Sequence, residues 1–344
     1  MAQGDVGGAL ASYREGLAIS AALAGRDPKH TLWQRDLLVA NNKLGGVLLA
    51  QGEGAESLAS YQAALEIATS LAQRDPANTQ WQRDLSVSSN RVGDMLFRQG
   101  DGGGALVAYR TALAITEHLA RRDPSNTEWQ RDLAVERNRI GDLLLAQEDR
   151  DGAVAAYREG LAIREELANQ DPANVQWQRD LFVSYTKTGD CLLAQADGPG
   201  ALAAYRKGQS IMAGLAERDP EQLRWQRDLF VSFTKIGDVL GMETDGAGAL
   251  TAYLGGLAIA EALALKDPAN MQWQMDIAVA CAKAGSVDSA QKKEHRQRHL
   301  TRGREIQIGL KKAGKLPSSH DWIEWFDGAL STLEKGSDSM ERKQ

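Results

Sequence analysis

Cysteine is nearly missing from this chain: 344 residues hold two, Cys191 and Cys281. They occupy different places in the pattern described below. A disulfide framework is therefore not what holds the fold, and the two read as small core fillers in a reducing compartment. Proline is scarce as well, at eight residues, while Ala and Leu dominate the apolar share; both facts favour helix. No run approaches 18 unbroken apolar residues, so no membrane span is expected. The first residues lack the basic flank and apolar core of a secretory leader, and the expected location is cytoplasmic. A net charge of −6 gives no whole-chain case for nucleic acid. Gly-rich phosphate loops, Gly-x-Ser-x-Gly, His-Glu-x-x-His and recognised Cys/His pairs are all absent. No enzyme, cofactor or metal site is expected in these residues.

What is present is a repeat. Trp-Gln-Arg-Asp-Leu begins at Trp33, Trp81, Trp129, Trp177 and Trp225, and a worn copy, Trp-Gln-Met-Asp-Ile, begins at Trp273. Each tryptophan is 48 residues from the next. Tyr13, Tyr61, Tyr109, Tyr157, Tyr205 and Tyr253 keep the same step, as do the Asp-Pro pairs at Asp27, Asp75, Asp123, Asp171, Asp219 and Asp267. A fixed period of this size marks stacked supersecondary units.

One period, 78 to 125, shows the local logic. Asn78 is a helix N-cap by type. Trp81, Leu85, Val92 and Leu96 share one helical face. Gln99-Gly100-Asp101-Gly102 breaks that helix. Ala105, Leu106, Tyr109, Ala112, Leu113, Ile115 and Leu119 line the apolar side of a second, which Asp123-Pro124 ends. Short connections make successive helices antiparallel neighbours.

Gly93, Ala105, Tyr109, Ala112 and Leu113 have the spacing of the small and aromatic signature of the tetratricopeptide repeat, and the chain resembles that family over about 1–290. The family's usual repeat has about 34 residues. This one is longer, with the surplus at the junction between one helix B and the next helix A, where the Trp-Gln-Arg-Asp-Leu segment lies. In this it resembles kinesin light chains and many bacterial tetratricopeptide proteins. The resemblance implies an all-α, right-handed superhelical solenoid of antiparallel helix hairpins. Gly93 and Ala105 would let helices A and B approach closely. The Trp column (Trp33, Trp81, Trp129, Trp177, Trp225, Trp273) and Tyr61, Tyr109, Tyr157, Tyr205 and Tyr253 would form the repeating core.

The ends are irregular. Residues 1–30 read as an orphan helix B of a truncated first repeat, either because the chain is a fragment, the favoured reading, or because the gene starts with a half repeat. Repeats fill 31–286, with the last helix A at about 272–286. Residues 287–317 read as a degenerate helix B, with Ile306 and Leu310 one residue out of step. Pro317-Ser318-Ser319 offers a new N-cap, 318–334 a capping helix on Trp322, Ile323, Phe326, Leu330 and Leu333, and 335–344 a disordered tail.

Helix A of such arrays lines the concave wall. The resemblance places there Val39, Val87, Val135, Val183 and Val231; the amides and hydroxyls of Asn42, Asn90, Asn138, Thr186 and Thr234; and the cations Lys43, Arg91, Arg139, Lys187, Lys235 and Lys283. One turn on stand Asp94, Asp142, Asp190 and Asp238, with Gly46 in the first copy. The implied function is a non-enzymatic protein-interaction scaffold that holds a peptide or partner segment in the groove. Arg91, Arg139, Lys187 and Lys235 each have an Asp three residues later, close enough to pair on the same helix, which argues against a strong carboxylate clamp. Two alternatives stand beside it: a sensor or scaffold arm of a larger bacterial signalling or effector protein, and a module that self-assembles through its open first helix.

Arg35, Arg83, Arg131, Arg179 and Arg227 read as stacking links to an Asp of the Asp-Pro loop or of the adjacent repeat. The basic segment 292–315 holds nine Lys/Arg against Glu294 and Glu305; without interleaved aromatics it reads as a solvated face. His295 and His299 have ligand spacing but no third donor to complete a metal site.

Overall fold

The computed structural model describes residues 6–288 and 290–341, and these are helical from end to end, with no strand among them. The chain divides into two compact units, 1–167 and 168–344, with the boundary inside one helix. The first unit holds α1 (Val6–Arg26), α2 (Thr31–Ala50), α3 (Gly54–Arg74), α4 (Thr79–Arg98), α5 (Gly102–Arg122), α6 (Thr127–Ala146) and most of α7 (Arg150–Gln170). The second continues with α8 (Val175–Ala194), α9 (Gly198–Arg218), α10 (Leu223–Met242), α11 (Gly246–Lys266), α12 (Met271–Ser286), α13 (Lys293–Lys312) and α14 (Ile323–Glu341). Within each unit successive helices pack on one another, and Tyr157 of α7 lies against Gly141 of α6. The fold is an all-α array of stacked helical hairpins, as the period predicts.

Short polar side chains set the helix boundaries. The Oδ1 atoms of Asn78, Asn126 and Asn174 accept from the Trp81, Trp129 and Trp177 N–H at 3.1, 3.1 and 3.2 Å. They satisfy donors that a helix start leaves free. His30 Nδ1 does the same for Trp33 at 3.3 Å. Before each of these caps the Asp-Pro loop is closed by its own aspartate, as where Asp75 Oδ1 accepts from Ala77 N–H at 3.0 Å. Asp101, Asp149, Asp197 and Asp245 cap the second helix of their hairpins at 2.8–2.9 Å. Between the two helices the chain takes one left-handed residue. That residue is Gly52 or Gly100 in the first hairpins but Glu148, Ala196 and Thr244 later.

The Trp-Gln-Arg-Asp-Leu segment is a structural clamp in which each polar residue has its own partner. The indoles of Trp81, Trp225 and Trp273 are half-buried against core clusters built on the preceding hairpin. Gln82 reaches back to the Ala72 carbonyl at 3.4 Å, tying the end of the preceding helix. Arg35, Arg83 and Arg227 bind the Asp of the next copy, Asp84, Asp132 and Asp276, at 2.6, 2.7 and 2.8 Å. Of the two partners expected for this arginine, it is therefore the adjacent repeat that holds it.

The tyrosine column is the core of the hairpins. Tyr61, Tyr109, Tyr157, Tyr205 and Tyr253 are all buried. Each ring lies against a glycine of the preceding helix. A Cβ built on Gly45, Gly93, Gly141 or Gly189 would stand 2.6, 2.6, 2.7 or 2.5 Å from the ring, and Gly237 faces Tyr253 in the same way. Any larger side chain would force the helices apart.

The C-terminal end differs from expectation in three respects. α13 begins at Lys293, later than 287. Ser318–His320 forms a 3₁₀ turn rather than an N-cap. The donors at the start of α14 go instead to buried Gln307, whose Oε1 accepts from Trp322 N–H at 2.8 Å, and to Asp321, which accepts from Ile323 N–H at 3.2 Å. The last helix also continues to Glu341 rather than ending at 334, because no proline or capping group interrupts it; 342–344 lie outside the described residues. Phe326, fully buried, fills the notch at Gly303 and closes the stack as a cap should. At the other end residues 1–5 of the expected orphan helix lie outside the described residues, and α1 carries the rest. Among the described residues α11 is long and apolar enough to cross a membrane by length and composition. In this fold it is the second helix of a hairpin and packs on α10 and α12.

Candidate partner-binding wall

The first helix of each hairpin (α2, α4, α6, α8, α10, α12) carries the columns expected to face a partner. Three of the five valines are open: Val87, Val135 and Val183 are 41, 36 and 44% exposed, large values for β-branched apolar residues in regular helices, whereas Val39 and Val231 are partly buried against core clusters. Val87 and Val135 in the first unit, and Val183 in the second, are apolar surface that the fold itself does not cover.

The polar columns are used differently from expectation. Arg139 does not pair with Asp142 on its own helix. It binds Asp94 of the preceding repeat at 2.7 Å, and Asp94 Oδ1 also accepts from the Tyr109 hydroxyl at 2.9 Å. The second unit repeats the arrangement twice. Lys235 and Tyr205 converge on Asp190 at 2.6 and 2.5 Å, and Lys283 and Tyr253 converge on Asp238 at 2.7 and 2.8 Å. Tyr157 donates to Asp142 at 2.7 Å. One carboxylate thus closes a hairpin through its tyrosine and joins that hairpin to the next through the cation. Burial first, then the neighbouring carboxylate, holds the Tyr109 hydroxyl above its usual pKa. The reason for the choice of partner is spatial. Packed helices place their axes 8–10 Å apart, so a long side chain reaches a carboxylate already oriented by tyrosine as easily as one on its own helix.

The amide column turns inward too. Asn90 and Asn138 are 7% exposed. Asn90 donates to Glu136 of the next repeat at 2.5 Å, and Asn42 donates to Ser88 in the corresponding place at 3.2 Å. Thr186 and Thr234 donate to carbonyls one turn back, at 3.0 and 3.2 Å. Glu136 was not singled out by its sequence, since the other copies hold Ala40, Ser88, Ser184 and Ser232 there. It is 3% exposed, and burial pushes its carboxyl up to about 7 despite nearby Arg139. Two cations of the column, Lys43 and Arg91, are exposed and make no ion pair among the described residues.

A cavity of about 810 Å³ lies at the far end of the second unit, lined among others by Tyr253, Ala282, Lys283, Ser286, Trp322 and Trp325. Its origin is a missing helical turn. α12 has 16 residues where α10 has 20. Val287, the counterpart of fully buried Val239, therefore leaves the helix in extended conformation. The basic segment 292–315 is largely α13, and several of its cations are engaged: Arg296 with Asp288, Arg302 with Glu261, Arg304 with Asp327, and Lys311 with Asp321. Burial lowers the His299 pKa, and among the described residues no three potential ligands gather for a metal. Cys191 and Cys281 are both buried free thiols, and burial pushes Cys281 up to about 11.

Residues 137–174 match the sequence profile of the tetratricopeptide repeat. No curated protein sequence matches the chain. Among solved structures, BtubC (BKLC) from P. vanneervenii is 18% identical, with a TM-score of 0.60 over 75% of this chain and 92% of its own. A putative kinesin light chain with nearly identical TPR-like repeats from Podosopora anserina is 12% identical, with a TM-score of 0.50 over 70% of this chain and 99% of its own. A signal transduction ATPase with numerous domains and a tetratricopeptide repeat sensor, from Pyrococcus horikoshii, is 8% identical, with a TM-score of 0.54. That match spans 90% of this chain but 44% of the ATPase. At these identities the likeness is one of fold.

Proposed function

We propose that this chain, whose fold is that of the tetratricopeptide-repeat proteins, is a non-enzymatic scaffold that holds a segment of a partner protein along its helix-A wall. The observation that carries the reading is the exposed valine row, with Val87 and Val135 at 41 and 36% in the first unit. The braced cations Arg139 and Lys235 are structural in this reading, as is buried Asn90. Contact with the partner falls to the valines and to the free cations Lys43 and Arg91. Both thiols are reduced and buried, which fits a cytoplasmic setting. The test is affinity capture from source cells with the native chain and with a Val87→Lys, Val135→Lys double variant. Proteins held by the native chain and lost by the variant, at unchanged melting temperature, support the proposal. An identical captured set counts against it.

A second reading rests on α1. Tyr13 is 38% exposed where its equivalents are buried, and Ile19 is 57% exposed. Such a face is covered by a second copy or by a further part of a larger protein, whose catalytic domain would lie outside these residues. Light scattering over a concentration series separates the two: growth in mass with concentration indicates self-association, and a constant monomer leaves the larger assembly.

A further inference from the structure

Gly46 interrupts the carboxylate column of the first unit. At least three rungs among the described residues share one geometry: a buried tyrosine hydroxyl and a cation from the next hairpin both bind one aspartate, as Tyr109 and Arg139 bind Asp94 at 2.9 and 2.7 Å. In the first rung the donors are present and the acceptor is not. Tyr61 is 1% exposed, and its hydroxyl has no hydrogen-bond partner among the described residues. Arg91, the counterpart of Arg139, makes no ion pair among the described residues, Asp94 on its own helix being held by Tyr109 and Arg139, and neither does Lys43 beside it. Space exists where the aspartate would stand: a Cβ on Gly46 would meet only the Tyr61 hydroxyl, at 3.6 Å, which is ordinary contact. A cavity of about 350 Å³ opens there, lined by Asn42, Lys43, Gly46 and Arg91, with Val39 and Val87 at its sides. Asp84 also borders it, but that carboxylate is held by Arg35 at 2.6 Å and by Gln80 at 3.0 Å.

We infer that this vacancy is a receptor for one carboxylate, supplied by an Asp or Glu side chain of the bound partner segment, which completes the rung through Tyr61 and Arg91. The ligand chemistry is read from the chain itself, because the same two donors hold a carboxylate in the complete rungs. The flanking valines make a polypeptide the bearer rather than a free acid: they continue the apolar row on both sides of the anion. Lys43 adds a second cation at the mouth, where a charge-assisted contact is strong. The inference rests on the wall-binding function proposed above and adds which residue type the partner must present.

The experiment uses the full chain and three fluorescein-labelled peptides: Val-Ala-Asp-Ala-Val amide, its Asn-for-Asp counterpart, and the Asn peptide with a free C-terminal carboxylate. Fluorescence polarisation should find the Asp peptide bound about tenfold more tightly than either Asn peptide, a difference typical of one charge-assisted contact. Gly46→Asp supplies the missing carboxylate internally. It should abolish that preference and raise the melting temperature by about 2–4 °C. Arg91→Gln should abolish the preference with little change in melting. Equal affinity for the Asp and Asn amides overturns the inference, as do preference for the free C-terminus, no binding at millimolar peptide, or a lowered melting temperature in Gly46→Asp. Binding that is lost in the Val87→Lys, Val135→Lys variant but is indifferent to Asp and to Gly46→Asp discards the receptor and leaves the wall. Carboxylate preference that survives in the valine variant does the reverse.

Discussion

Two successive rungs of the same wall differ by a single carboxylate. At Asp94 the tyrosine below and the arginine of the next hairpin are both satisfied, and the cation is spent on bracing. At Gly46 the same two donors stand free. The comparison teaches that a repeated polar column does not carry recognition merely by facing a groove. Where the column is complete it locks one hairpin to the next. Where one copy is defective, the leftover groups become available to something else.

The largest expected difference between these neighbourhoods is at Glu136. Asn90 donates to this buried carboxyl, whereas one repeat earlier Asn42 donates to Ser88. Raised from 4.5 to about 7 by burial, Glu136 keeps its proton in the folded chain at pH values where the unfolded chain has lost it. Stability is therefore undiminished below about pH 4.5 and falls as pH rises toward 7. At 1.36 kcal/mol per pKa unit the loss is about 3 kcal/mol at most. Glu136→Gln should remove that slope and stabilise the chain at pH 8, as urea titrations at pH 5 and 8 would measure; Ser88→Ala, which keeps Glu136, should leave the slope in place.

Adjacent glycines give the next contrast. Gly45→Ala places a methyl 2.6 Å from the Tyr61 ring and should destabilise by about 1–3 kcal/mol. Gly46→Ala meets only ordinary contact and should stabilise by about 0.5–1 kcal/mol through helix propensity. Thermal melts of the two variants with opposite signs would confirm that the tight approach is confined to the tyrosine notch. Smaller still is the contrast between the cations. Arg139→Ala removes a brace whose side chains are 27 and 30% exposed and should cost about 1–2 kcal/mol. Arg91→Ala should fall within about 0.5 kcal/mol of the native chain. Equal losses would mean that the first rung is braced after all.

Much of this was legible from residue types. Asn78 announced a helix start, Asp123-Pro124 an end, and Gly93 with Tyr109 a close approach, because each depends on backbone geometry a few residues long. The exposed valines followed from helical spacing. The cations were harder. Residues 139 and 142 are as plausible a pair by spacing as residues 139 and 94, and no linear pattern distinguishes them. Glu136 carried no signal at all, since its column is otherwise Ala or Ser. The cavity beside Trp322 and Trp325 depends on α12 losing a turn, and the decayed pattern after Gly285 marked the irregularity without giving its shape.

By itself the order of residues determined the hairpins, their 48-residue period and the glycine–tyrosine notches, since capping, helical spacing and steric exclusion act over short distances along the chain. Only the stacked structure decided which charges are consumed between hairpins and which remain, because that depends on how close one packed helix brings its side chains to the next. Gly46 is where the two levels meet: a missing side chain visible in one line of sequence, whose consequence exists only once Tyr61 and Arg91 have been brought around it.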